Sequence, residues 1–126
     1  MVDDIEALAC TCARLADERK AEDIVVLNVG PQAFFTDYFV IATGRNERQI
    51  QAIADEVVHR MKGLDHAILG VEGEAESGWV LIDLGEVIVH LFETATRALY
   101  DLELLWGEAP RTAWQDAEAL GGPART

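Results

Sequence analysis

The sequence predicts a single α/β domain, a mixed β-sheet with helices packed on it in the order α-β-β-α-β-β-β-α. Three observations predict it. The chain has 126 residues, which fits one domain with a real core. Half of its residues are hydrophobic and 26% are charged, an ordinary globular balance. Short β-branched runs closed by turn residues interleave unevenly with segments of helical period. The domain is expected over residues 1–108, with 109–126 as a flexible tail ending in Gly-Gly-Pro, although Trp114 and Leu120 could dock.

The elements follow in order. Residues 3–20 read as a helix, because Ile5, Leu8, Cys12, Leu15 and Ala16 recur at spacings of three and four, with Asp3 and Asp4 at the favourable positive end. DIVVLNV (23–29) is a buried strand closed by Gly30-Pro31, and DYFVIAT (37–43) is a second strand ended by Gly44. Asn46 caps the next helix, with Gln49 at the capping-box position. Ile50, Ile53, Ala54, Val57 and Met61 form its apolar stripe, Gly63 stops it, and His59 falls off the stripe toward solvent. HAILGV (66–71) reads as the third strand and EGEAESG (72–78) as an acidic loop. After a hairpin, Thr94 caps a last helix, ATRALYDLELLW, stopped by Gly107. Leu99, Leu102, Leu105 and Trp106 make its packing side. Tyr100 and Leu104 form a second apolar stripe for a partner or another subunit.

Composition narrows the function classes. No apolar run approaches the roughly 20 residues a membrane span needs. The acidic, amphipathic start is neither a signal nor a transit peptide, so the expected location is the cytoplasm. Cys10 and Cys12, two apart on a helix, point to nearly opposite sides and cannot clasp one metal; they read as small packing residues. The formal charge is −13. Between Val71 and Glu108 there are nine acids and one base, Arg97. Phosphate backbones repel such a surface, and basic partners are drawn to it. Direct nucleic-acid binding is therefore not expected as the main activity.

The hairpin GWVLIDLGEVIVHLF (78–92) is the most informative stretch. A type I turn with Gly85 left-handed pairs Ile82 with Glu86 and places Asp83 in the turn. That register puts Trp79, Leu81, Val87, Val89 and Leu91 on one face and Val80, Ile82, Glu86, Ile88 and His90 on the other. Both faces are largely apolar, so the sheet needs two covers. An incompletely covered face bearing Trp79 is an interface candidate; plain core packing is the competing reading.

No active site emerges. There is no Walker loop, no G-x-G-x-x-G and no G-x-S-x-G; Ser77 is the only serine. His59, His66 and His90 form no metal spacing, and no cofactor is expected. IATGRNERQ places a glycine between strand and helix as nucleotidyltransferases do. Those enzymes also need two carboxylates on the next strand to hold magnesium. HAILGV has none; Glu72 and Glu74 follow it, in the expected loop.

Together, AEDIVVLNV, DYFVIATG with ERQIQAIADEV, VEGE with the hairpin, and R-x-L-YDLELLWG-x-AP resemble the ribosomal silencing factor family (RsfS, also called Iojap-like). The resemblance runs from about Ala21 to Pro110. Glu86 and Leu84 depart from the usual Asp and Tyr, both in the turn. The resemblance implies a nucleotidyltransferase-like core without catalytic carboxylates. It implies binding to the large ribosomal subunit through the ribosomal protein numbered fourteen (uL-fourteen), block of subunit joining, and translational repression when nutrients are scarce. It also implies a homodimer when free. Organelle relatives act in large-subunit assembly, which makes a biogenesis factor one alternative; a metal-dependent nucleotidyltransferase is the other. By the resemblance Trp79 contacts the ribosomal protein. Leu81, Val87, Val89 and Leu91 join as its neighbours in the expected register, Asp83 and His90 are further candidate contacts, and Tyr100 and Leu104 serve this contact or the dimer.

Overall fold

In a computed structural model, which describes residues 4–115, the chain runs α1 (Asp4–Glu18), β1 (Glu22–Asn28), β2 (Tyr38–Gly44), α2 (Glu47–Gly63), β3 (Gly70–Glu74), a 3-10 turn (Ala75–Ser77), β4 (Trp79–Asp83), β5 (Val87–Glu93), α3 (Thr94–Tyr100) and α4 (Leu102–Leu105). The expected mixed α/β sheet is present, in the strand order β1-β2-β5-β4-β3. The central pair β2–β5 is parallel and the other three pairings are antiparallel. Burial explains the centre: all of β2 and all but the last residue of β5 are buried, as near-continuous apolar strands of a covered parallel pair must be.

Helices α1 and α2 cover one face. Leu8, Cys12, Leu15, Ile50, Ile53, Val57 and Met61 pack there on Val26, Val40, Ala42, Val80, Ile82, Val87, Val89 and Leu91. Each such large apolar side chain contributes roughly 1.5–3 kcal/mol by leaving water. Cys10 and Cys12 are both fully buried, as packing residues, and burial pushes the Cys12 thiol up to about 12. Among the described residues no helix is long and apolar enough to cross a membrane.

Several local expectations are corrected. The hairpin turn is two residues long. Leu84 N–H donates to Val87 O at 2.9 Å, and Gly85 takes φ 90° at the first central position, the site a primed turn reserves for glycine. The register pairs Trp79 with Phe92, Leu81 with His90 and Ile82 with Val89, three residues away from the expected one. An odd shift exchanges faces. Val87, Val89 and Leu91 consequently face the helices at 0% exposure and do not share the face of Trp79.

Strand β3 begins at Gly70, so Glu72 and Glu74 stand on it rather than in a loop. As an exposed edge it needs no apolar run. What fixes it is the fit of Gly73 (φ 81°) over Trp79, where a Cβ would lie 2.2 Å from the carbonyl oxygen. The last helix breaks at Asp101, held left-handed at φ 45° and capping α4 by accepting from Leu104 N–H; aspartate tolerates that conformation. The break turns Leu99 and Leu105 out to solvent, while Leu102 and Trp106 pack. No side chain caps α3; Thr94 is its first helical residue. At α2, Asn46 caps Gln49 N–H as expected. Past its end the left-handed residue is Asp65 rather than Gly63. From residue 109 the chain lies along β1. Asn28 N–H donates to Pro110 O at 2.8 Å, Thr112 N–H donates to Val26 O at 2.8 Å, and Trp114 Nε1 donates to Ile24 O at 3.3 Å. Leu120 and the Gly-Gly-Pro stretch of the expected tail lie outside the described residues.

Arg97 locks α3 and α4 to the sheet. Its Nε and Nη2 bind Glu103 bidentately at 2.9 and 3.0 Å, and its Nη1 donates to Asp23 O at 2.7 Å and Thr43 Oγ1 at 2.8 Å. The Arg97 guanidinium holds the Glu103 carboxyl below the usual carboxylate range. Stability from this pair is fully present above the unfolded glutamate pKa of about 4.3 and is lost as pH falls through the folded value. Urea denaturation should find Arg97→Leu less stable than wild type by about 2 kcal/mol at pH 7. The gap between wild type and Glu103→Gln should shrink in acid.

Candidate functional site

The second sheet face carries Val25 and Leu27 of β1, Phe39 and Ile41 of β2, Ile88, His90 and Phe92 of β5, and Trp79, Leu81 and Asp83 of β4. Among the described residues no long helix covers it. Leu102, Trp106 and Ala109 pack on it from the segment after β5. Beside β4 an open groove of about 400 Å³ remains, lined by Trp79, Leu81, Leu99 and Tyr100 with Glu72 at its edge.

A file of rings crosses this face. Tyr100 lies 4.6 Å from Trp79 between centroids, and Trp79 stacks on Phe92 at 5.0 Å. His90 follows, 4.7 Å from Phe39, and Phe39 lies 5.4 Å from Trp106. Trp106 and Phe39 meet Phe35, which leads to Phe34, 102% exposed. Such pairs contribute roughly 0.5–1.5 kcal/mol each beyond burial. Both ends of the file reach water.

Of the residues singled out from sequence, Trp79 and Leu81 share the groove, each partly buried. Tyr100 is 51% and Leu104 76% exposed. Asp83 accepts from Gly85 N–H at 2.9 Å and so stabilises the turn. His90 is corrected from a contact to a support: it is 4% exposed, beneath Trp79. The indole Nε1 of Trp79 donates to His90 Nδ1 at 3.3 Å. An indole nitrogen only donates, so Nδ1 is unprotonated and the imidazole hydrogen sits on Nε2. Nε2 is buried with no partner among the described residues, a cost of about 1–3 kcal/mol. Burial lowers the His90 pKa to about 4, so the ring is neutral at pH 7.

Sequence reasoning missed Phe34, Phe35 and Phe92. Two adjacent phenylalanines in the turn-rich stretch GPQAFFTD were a visible signal; Phe92 was hidden by the register. Glu72 and Glu74 lie opposite Leu81 and Trp79 on one strand face. They form the carboxylate pair whose absence argued against a nucleotidyltransferase. Among the described residues no third His, Cys, Asp or Glu joins them in a group able to hold a metal ion.

Comparison with known proteins is consistent across sequence and fold. A family model described as ribosomal silencing factor during starvation matches residues 2–125. The chain is 46% identical over 96 residues to a ribosomal silencing factor of Halalkalibacterium halodurans, covering 75% of this chain and 80% of the relative. It is 41% identical to that of Bacillus subtilis, over 84% of this chain and 85% of the relative. A crystal structure of a Chromobacterium violaceum protein superposes with a TM-score of 0.78 at 31% identity, covering 93% of this chain and 96% of that one.

The buried histidine has a measurable signature. Its folded value of about 4 lies below the unfolded value of about 6.5. The unfolded chain therefore takes up a proton that the folded one refuses. His90 costs no charge-burial energy above pH ~6.5, and stability falls as pH drops toward 4, by on the order of 3 kcal/mol at most. His90→Gln keeps an acceptor for the indole but does not titrate. Denaturation at pH 7 and at about pH 4.5 should show wild type losing more stability than His90→Gln; equal losses would exclude a buried neutral imidazole.

Proposed function

The chain belongs to the ribosomal silencing factor (RsfS) family, and from that premise we propose that it is a non-enzymatic translational repressor. It docks on the large ribosomal subunit through uL-fourteen and keeps the small subunit from joining. The observation that carries this is the half-covered second face of the sheet. Trp79 and Leu81 line its groove, and Leu99, Tyr100, Leu104 and Leu105 are exposed beside it. Around them Glu72, Glu74, Glu76, Glu93 and Asp101 form an exposed acidic rim.

The physical logic is that of a hot-spot interface. A few desolvated aromatic and aliphatic anchors supply the affinity, and the surrounding polar residues exclude water. The acidic rim speeds encounter with a basic ribosomal protein and sets orientation. Repression needs only that the bound chain occupy the subunit-joining face, so no chemical step is required. In the free protein the same exposed apolar residues are covered by a second copy, giving the homodimer. The cytoplasm is the compartment in which this role is carried out.

Sucrose-gradient cosedimentation with separated subunits tests the reading. Wild type should travel with large subunits only. Tyr100→Ala and Leu104→Asp alter exposed side chains and should leave the fold intact while weakening binding. Trp79→Ala should cost about 2 kcal/mol of affinity, roughly thirtyfold. Folded variants that cosediment normally would place the interface elsewhere. Calorimetry with magnesium and a nucleoside triphosphate should give no binding heat; a magnesium-dependent signal abolished by Glu72→Gln with Glu74→Gln would overturn the non-enzymatic reading.

A further inference from the structure

A second surface lies outside the aromatic face. Arg19, Lys20, Arg45 and Arg48, four of the ten Lys and Arg residues, line one open groove of about 420 Å³ where the end of α1 meets the start of α2. Gln49 builds the junction. Its Nε2 donates to Arg19 O at 3.0 Å and Lys20 O at 2.9 Å, and its Oε1 accepts from Arg45 N–H at 2.6 Å. One side chain thus pins the Arg19-Lys20 dipeptide to Arg45. Arg19 is partly engaged by Glu56. Lys20, Arg45 and Arg48 are exposed and form no ion pair among the described residues. Glu18 is the one acid that lines the groove.

This arrangement runs against the composition of the chain and against local helix energetics. Acids outnumber bases 23 to 10, yet here four cations line the groove with one acid, Glu18, and among the described residues only Arg19 is paired, with Glu56 beside it. Arg48 occupies the first turn of α2, where the helix dipole disfavours a cation by about 0.3–1 kcal/mol. Arg48 therefore does not serve the stability of α2 through the helix dipole. Guanidinium groups match phosphate oxygens in charge and geometry. The groove offers Asn46, Gln49 and Ala52 but no aromatic side chain, so it has nothing on which a base could stack.

We infer that the α1–α2 groove is a contact for the phosphate backbone of structured RNA, with Arg45 and Arg48 as its principal donors, flanking the protein contact on the large subunit. The placement rests on the docking reading above. Gly44, the neighbour of Arg45, pairs with Glu93, and Trp79 pairs with Phe92, so the groove and Trp79 lie at the same end of the sheet. The net charge of −13 does not cancel the local field, because at physiological salt charges beyond about 8 Å are largely screened. The contact reads no sequence, as backbone contacts do not.

Two arms test this with the full chain. Fluorescence anisotropy at about 0.1 M salt, where the screening length is about 10 Å, uses a fluorescein-labelled RNA duplex of about two helical turns and, separately, labelled poly-glutamate. Wild type should bind the duplex weakly. Arg45→Ala with Arg48→Ala should bind it at least about tenfold more weakly, and Lys62→Ala, a cation lost elsewhere, should match wild type. Equal duplex binding by the double variant, or glutamate binding in place of duplex binding, overturns the inference. In the second arm, affinity for large subunits is followed between about 50 and 200 mM salt. Loss of two phosphate contacts should lower the log–log salt slope by about two, so wild type loses about tenfold more affinity over that range than the double variant does. An unchanged slope with Trp79-dependent binding removes the RNA contact and leaves the docking reading standing. Absence of cosedimentation by wild type sinks the docking reading, and the duplex arm then decides whether the groove binds phosphate.

Discussion

The parallel pairing of β2 with β5 is the constraint on which the rest of the structure depends. Its register sets Val40 beside Val89 and Ala42 beside Leu91 toward the helices, and Phe39 beside Ile88 and Ile41 beside His90 toward the other side. A sheet whose central strands are apolar on both faces must be covered twice. Two full helices, of 15 and 17 residues, cover the first face. Among the described residues only two short ones, of 7 and 4 residues, lie over the second. The half-covered aromatic face is the consequence of that inequality.

Where helix is missing, aromatic rings take over. Stacking of Tyr100, Trp79, Phe92, His90 and Phe39 buries β5 from above without a regular element. The same stacking holds Trp79 at the edge of an open groove rather than in a closed core. His90 illustrates the compromise. A leucine there would leave no orphan Nε2, but the indole N–H of Trp79 would lose its acceptor. Arg97 plays the equivalent part for α3 and α4, binding the helix pair to the bulged start of β1 and to Thr43 of β2. That clamp acts together with the packing of Leu102 and Trp106 to set Tyr100 and Leu104 beside Trp79.

Charge is segregated on the same frame. Acids surround the aromatic face, and the densest cationic groove sits at the α1–α2 junction on the helix side. Both regions lie toward one end of the sheet, on opposite faces.

Much of this was legible in the sequence, for identifiable reasons. The α/β class, the strands around Val25 and Val40, α1, and α2 with its Asn46 cap were readable because they obey local rules of period, propensity and capping. The family resemblance was legible too, since it resides in residue identity. The hairpin register was not. It depends on which of two short turns closes, and a shift of three residues moved Val87, Val89 and Leu91 into the helix-side core. Nor was the place of β3, which is fixed by backbone packing of Gly73 on Trp79 and leaves no apolar pattern. The break at Asp101 was equally silent, because a left-handed aspartate between two helical segments costs little and looks like continuous helix. By itself, then, the sequence determined the α/β class, the type and place of the segments that obey local rules, and the family to which the chain belongs. Which side chains face out together, with Trp79 over His90 and Tyr100 beside them, was decided only by the tertiary structure, because facing is set by cross-strand register and by the cover available, and neither is a local property.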